Sequence, residues 1–144
     1  MDIHKVGVAG CGLMGSGIAQ VAAMAGIPTV VREVNEEALS KGIATIEKSL
    51  AKLEEKGQIP AGHKTATLEK LRTTQSLEDF KDCDLVIEAI IENLDRKRKL
   101  FAELDLIVKP EAIFATNTSS LSVTEMMTAT KRRSRFLGMH FFNP

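Results

Sequence analysis

Short apolar runs alternate with segments of helical periodicity along the whole chain. His4–Ala9 (HKVGVA) predicts a strand, and Leu13–Ala25, beyond a glycine turn, predicts a helix. Pro28–Arg32 (PTVVR) predicts a second strand. Asn35 is placed to cap the next helix, with Glu36 and Glu37 in its first turn, where the helix dipole favours acids. That helix carries Leu39, Ile43, Ile46, Leu50 and Leu53 as one apolar stripe, and Gly57 ends it. Residues 57–66 read as a loop or short turn region.

Farther along, Leu71–Gln75 predicts a short strand, and Ser76 with Asp79 a capping box on a short helix. Asp84–Glu88 (DLVIE) predicts a strand, Asn93–Val108 a helix stopped by Pro110, and Ala112–Ala115 a short buried strand. Ser122 and Glu125 predict another helix cap, and Phe136–Phe142 a last strand. This alternation argues one α/β domain over residues 1–144, a doubly wound and mostly parallel sheet with helices on both faces. Ligands in such sheets sit beyond the carboxyl ends of the strands, so the residues following each strand carry the functional interest.

Composition removes several classes. Basic and acidic residues number 19 each, so no global charge points to nucleic acid or an anionic membrane. No apolar run approaches the roughly 18 residues of a membrane span, and the N-terminus lacks a signal-peptide layout. Cys11 and Cys83 form neither a CxxC pair nor a metal spacing and read as buried reduced thiols, which fits a cytosolic or organelle-matrix protein rather than a secreted one. The cluster Lys131–Arg135 (KRRSR) reads as a solvated loop, and His4 and His63 as surface residues.

The first strand runs into GCGLMG. A lone G-x-G-x-x-G is weak evidence, but here it follows a strand and opens a helix, the setting a Rossmann-type dinucleotide-binding fold requires. Gly10 permits the tight turn, Gly12 lets backbone approach a pyrophosphate, and Gly15 lets helix and strand pack. Leu13 and Met14 begin the helix whose free N–H groups face the phosphates. Glu33, just past the second strand, is placed to accept both ribose hydroxyls of NAD and to repel the 2′-phosphate of NADP. Arg32 beside it could accept that phosphate, but strand alternation predicts that it faces away.

Other strand ends carry polar residues. Glu88 reads as an acid near the start of the helix at Asn93, and Glu92 either as another such acid or as a pocket residue. The run Asp95–Lys99 reads mostly as a solvated helix face, with Lys97 the member that could reach a pocket. Thr116, Asn117, Thr118 and Ser119 follow the AIFA strand, where turns are one explanation and a hydroxyl at the ligand edge another. Thr45, Ser49, Lys52 and Lys56 form a polar stripe on the long helix, either solvated or set against an anionic ligand. His140 stands in the apolar stretch GMHFFNP. With NAD implying hydride transfer, a histidine at this sheet edge suits the handling of an alcohol proton.

In its stretches VGVAGCGLMGSGIAQ, DLVIEAIIEN, ATNTSSLSVTEM and RFLGMHFFNP, the sequence resembles the NAD-binding domain of the L-3-hydroxyacyl-CoA dehydrogenases, which include the bacterial 3-hydroxybutyryl-CoA dehydrogenases. The resemblance implies that Gly10, Gly12 and Gly15 hold the pyrophosphate and Glu33 the adenosine ribose. It sets Ala89, Glu92 and Lys97 at the nicotinamide end and has Asn143 help seat the cofactor. Ser119 would contact the substrate's 3-oxygen and the nicotinamide region, Ser49 and Lys56 the coenzyme A of an acyl-CoA substrate, and His140 would be the catalytic base. In the family, a glutamate shortly after HFFNP orients the histidine, and a helical C-terminal domain completes the cleft and forms a homodimer. Neither lies within these residues, so the resemblance implies the cofactor domain of a longer enzyme, weakly active or inactive alone. Two other classes remain open: a non-catalytic NAD-binding module, and a dehydrogenase of a free hydroxy or sugar acid on the same scaffold.

Overall fold

The computed structural model describes residues 1–142. Strands β1 (Val6–Ala9), β2 (Thr29–Arg32), β3 (Leu71–Thr74), β4 (Leu85–Glu88), β5 (Ile113–Thr116) and β6 (Phe136–Gly138) form one sheet in the order β3-β2-β1-β4-β5-β6. Every pairing is parallel. Helices α1 (Leu13–Met24), α2 (Glu36–Glu55) and α3 (His63–Glu69) cover one face, and α4 (Leu94–Ile107) with α5 (Val123–Met127) covers the other. The chain order reverses direction across β1 and β4, so a crevice opens there at the carboxyl edge.

Alternation along each strand divides the core in two. Val6, Val8, Val31 and Ile87 pack with Ile18, Ile46 and Leu50 of α1 and α2. Val30, Val86 and Phe114 pack with Leu100, Phe101 and Leu104 of α4. Phe101 is fully buried and meets the Phe136 ring edge-on at 4.6 Å between centroids. Burying such a side chain contributes roughly 1.5–3 kcal/mol.

Side-chain caps start three of the helices, at Asn35 and Ser122 where the sequence indicates and at Asn93, which was expected inside its helix. Asn35 Oδ1 accepts the Ala38 N–H, Asn93 Oδ1 the Arg96 N–H, and Ser122 Oγ the Glu125 N–H. Four expectations need correction. Residues 63–69 form α3, a helix too short to show an apolar period, held in place by packing on α1 and α2. The segment after Ser76 is a single 3-10 turn, Leu77–Phe80; Ser76 Oγ accepts from Glu78 N–H, while Asp79 takes the Thr74 hydroxyl instead of closing a capping box. The last strand stops at Gly138, not Phe142. Arg132 of the basic cluster is buried, not solvated: it pairs with Asp105 at 2.6 Å, donates to the carbonyls of Asp105, Val108, Lys109 and Ala112, and stacks on Phe114. A guanidinium therefore closes the carboxyl end of α4, where the orphan carbonyls collect.

Candidate functional site

The strands end flush. Ala9 pairs with Arg32 and Glu88, Arg32 with Thr74, Glu88 with Thr116, and Thr116 with Gly138. The ladder continues one residue further through the amides of Gly10, Glu33, Ala89, Asn117 and Met139. One edge therefore presents the glycine loop, Glu33, the Ala89–Glu92 turn and the Asn117–Ser119 loop together.

The glycine loop is shaped as its sequence predicts. Gly10 has φ +108°, and a side chain there would strike the Ala89 carbonyl. A Cβ at Gly15 would sit 2.0 Å from the Gly10 oxygen, so helix and loop touch backbone to backbone. Gly12, by contrast, has no atom within 4 Å of a built Cβ. The start of α1 has no side-chain cap and no acid in its first turn, so N–H groups and positive dipole face outward over Gly12. Glu33 is fixed by two amides: Oε2 accepts Cys11 N–H and Oε1 accepts Val34 N–H, both at 2.9 Å. Open space above Gly12, an uncapped helix start and an oriented carboxylate fit a dinucleotide. Burial, with Glu33 adding to it, pushes the Cys11 thiol up to about 11, and burial pushes Cys83 to about 12. Both are free, buried thiols, as their spacing suggests.

A cavity of about 720 Å³ adjoins this loop. Gly12, Leu13, Met14, Glu33, Ala89 and Glu92 line it, as do Arg96, Lys99 and Leu100 of α4. Arg32 lines it too, correcting the expectation that it faces away: Arg32 shares the α4 side of the sheet, and the cavity lies on that side. Its Nε donates to the Gln75 carbonyl at 3.1 Å.

Behind the cavity lies an ionic cluster. Glu88 is completely buried; it accepts from Thr116 Oγ1 at 2.6 Å and Ile90 N–H at 2.7 Å, and pairs with Lys97 Nζ at 2.8 Å. Glu88 is therefore not a helix-start acid. Lys97 is also completely buried, not part of a solvated face. Its ammonium reaches Glu92 at 3.3 Å and the Asn117 carbonyl at 3.5 Å. Glu92, half-exposed at the cavity wall, takes the Thr118 hydroxyl at 2.7 Å. The signal for this cluster was present in the sequence: Lys97 is in phase with Leu100, Phe101 and Leu104 on the buried stripe of α4.

His140 is exposed although its neighbours are apolar. Met139 and Phe141 pack into the α1–α2 core, so extended alternation turns His140 and Phe142 to the opposite side. Their rings lie 5.3 Å apart. Ser119 is exposed on the neighbouring loop, and neither it nor His140 lines the cavity. On α2, Ser49 is half-buried and accepts from Gln20 Nε2 at 3.0 Å, while Lys56 is exposed at the helix end. Asn143 lies outside the described residues. No described helix is long and apolar enough to cross a membrane, and the described residues hold no cluster of potential metal ligands.

Comparison with known proteins gives consistent matches. A family model described as "3-hydroxyacyl-CoA dehydrogenase, NAD binding domain" matches residues 5–144. The chain is 51% identical over 140 residues to a probable 3-hydroxybutyryl-CoA dehydrogenase of Deinococcus radiodurans, covering 97% of this chain and 50% of the relative. It is 40% identical to a fatty acid oxidation complex subunit alpha of Psychrobacter cryohalolentis, covering 99% of this chain and 20% of that protein. The crystal structure of (S)-3-hydroxybutyryl-CoA dehydrogenase from Ralstonia eutropha superposes with a TM-score of 0.96 at 42% identity, over 99% of this chain and 50% of that one. The chain thus spans half or less of the length of these proteins.

Proposed function

Because the chain belongs to the 3-hydroxyacyl-CoA dehydrogenase family, as its NAD-binding domain, we propose that it seats NAD for the interconversion of a 3-hydroxyacyl-CoA and its 3-ketoacyl-CoA. One observation carries the cofactor half of this reading: the glycine loop leaves open space over Gly12 at an uncapped helix start, with Glu33 held by two amides at the end of β2. When bound, NAD supplies a hydride acceptor, and in the reverse direction a donor. Gly10, Gly12, Leu13, Met14 and Gly15 would carry the pyrophosphate on backbone N–H groups. Glu33 would take the ribose hydroxyls and repel a 2′-phosphate. Ala89, Glu92 and Lys97 would border the nicotinamide end, with Lys97 acting through Glu92 and the Asn117 carbonyl, which it contacts. Asn143 would help seat the cofactor.

For the substrate, His140 would take the 3-hydroxyl proton as hydride leaves C3, and return it in the reverse direction. Its exposure and its place beside the Ser119 loop support this role. Ser119 would hold the 3-oxygen. Ser49 and Lys56 would meet the coenzyme A moiety along α2, Lys56 through its charge. The reading includes a glutamate shortly after HFFNP that orients His140 and a second, helical domain that completes the cleft and forms a dimer; the double length of the relatives supports it. Work in fatty acid or butanoate metabolism follows from the same reading.

The alternative of a cofactor module without turnover is favoured by one observation: among the described residues, no hydrogen bond or ion pair engages the His140 imidazole. One assay separates the two. NADH oxidation with acetoacetyl-CoA is measured for this chain and for a version extended past Pro144. Turnover by the longer form, or by both, supports the dehydrogenase; turnover by neither sinks it.

A further inference from the structure

The segment that carries His140 is held to the sheet in an unusual way. Met139 N–H donates to the Thr116 carbonyl, which is an ordinary continuation of the parallel ladder. The next rung would need a backbone carbonyl two residues on, at Thr118. That residue has already left the sheet: its hydroxyl serves Glu92 and the Leu121 N–H inside the 117–121 loop. The Asn117 side chain takes the place of the missing rung. Its Oδ1 accepts Phe141 N–H at 2.9 Å. His140 is therefore bracketed by one backbone bond before it and one side-chain bond after it.

Asn117 is itself fixed. Its N–H donates to the Glu88 carbonyl, and its carbonyl receives Lys97 Nζ. The same residue lines the cavity beside Glu92. One side chain thus links the buried Glu88–Lys97 cluster, the cavity wall and the His140 segment.

We propose that Asn117 is a positioning residue that fixes His140 in register with the cavity edge and the Ser119 loop. Asn117 touches neither reacting atom in this role; it acts through the backbone of Phe141. The catalytic consequence rests on the dehydrogenase reading above, whereas the brace does not. Loss of one neutral hydrogen bond predicts about tenfold faster exchange of the Phe141 amide. A base displaced by a fraction of an ångström to one ångström predicts a loss in kcat of roughly 10- to 100-fold.

The test has two arms. Amide exchange is followed by NMR in the 144-residue chain for the parent, Asn117→Ala and Asn117→Asp, which keeps an acceptor oxygen in the same place. Acetoacetyl-CoA turnover with NADH is measured for the same three in whichever form turns over. The expected result is fast Phe141 exchange and a lowered kcat in Asn117→Ala, KM values within about threefold of the parent, and recovery of both in Asn117→Asp. Unchanged Phe141 exchange in Asn117→Ala overturns the proposal. So does a freed amide with parental kcat, or a loss confined to KM. If Asn117→Ala does not fold, Asn117→Ser, whose hydroxyl is one atom too short to reach Phe141, is judged by the same criteria. If the parent turns over in neither form, the dehydrogenase reading fails and the exchange arm alone decides the brace.

Discussion

Replacing Lys97 by methionine tests the buried cluster most directly. The substitution keeps most of the apolar stem and removes the ammonium. It leaves Glu88, which has no exposed surface, with the Thr116 hydroxyl and the Ile90 amide but no countercharge. Breaking a buried pair from one side costs about 3–5 kcal/mol, because the remaining charge is stranded. For a domain of this size that is a drop of roughly 10–15 °C in Tm. Adding Glu88→Gln should restore most of the lost stability, since glutamine can still accept from Ile90 and exchange a hydrogen bond with Thr116, and no charge remains buried. Urea unfolding of the four proteins of the double-mutant cycle reads both effects. A cost below about 1 kcal/mol for Lys97→Met, or a double variant as unstable as the single, would refute the reasoning.

The two glycines of the loop should separate folding from binding. Gly15→Ala places a carbon against the Gly10 oxygen and should lower stability by about 3 kcal/mol or more, whereas Gly12→Ala should melt like the parent yet weaken NADH binding, by fluorescence titration, at least about tenfold. If Glu33 has the role proposed above, Glu33→Ser should narrow the preference for NADH over NADPH, measured as the ratio of dissociation constants, because the carboxylate that would repel a 2′-phosphate is gone while Arg32 still lines the cavity. Arg132→Met strips the end of α4 of its donors and leaves Asp105 unpaired, so unfolding in urea should show a loss of about 3–5 kcal/mol. The hydrogen bond from Lys109 holds the Asp84 carboxyl below its ordinary value, with the His4 and Lys5 amides adding to this and burial opposing it. A lowered acid contributes stability above its unfolded pKa of about 3.9 and loses it as pH falls through the folded value, so Asp84→Asn should flatten the acid limb of a stability–pH curve below about pH 4.

Much of the fold was legible because local signals agreed. Asn35, Asn93 and Ser122 each sit one residue before an apolar-periodic segment, and each caps a helix through its side-chain oxygen. The strands were short apolar runs bounded by turn residues, and the glycine fingerprint ordered the first strand, loop and helix. What failed were segments whose state is decided by partners distant in sequence. HKTATLE has no helical period of its own and folds against α1 and α2. FLGMHFF is apolar apart from His140, so its strand was expected to run on to Phe142. The sheet neighbour β5 ends at Thr116 and its chain turns away, and β6 stops where its partner does.

The candidate site shows the same division at the level of single residues. Glu33 could be placed at the sheet edge beside the glycine loop by its distance from that loop, because the βα unit that carries it is local. Glu88 and Lys97 could not be read one at a time: an acid after a strand and a lysine in a charged run each have a solvated explanation. Read jointly, they constrain each other. Period two along β4 turns Val86 and Glu88 toward α4, and the period of α4 turns Lys97, Leu100, Phe101 and Leu104 toward β4. A lysine on a buried stripe requires a carboxylate, and a carboxylate on a buried strand face requires a cation. Thr116, paired in register with Glu88 on β5, supplies the hydroxyl that the remaining lone pairs need. Two charges at odds with their own apolar patterns, facing one another across two elements, are thus a stronger sign of a functional edge than either charge alone. Asn117 extends the logic to His140, since it is the first residue beyond that paired strand end and its side chain continues a ladder the backbone abandons.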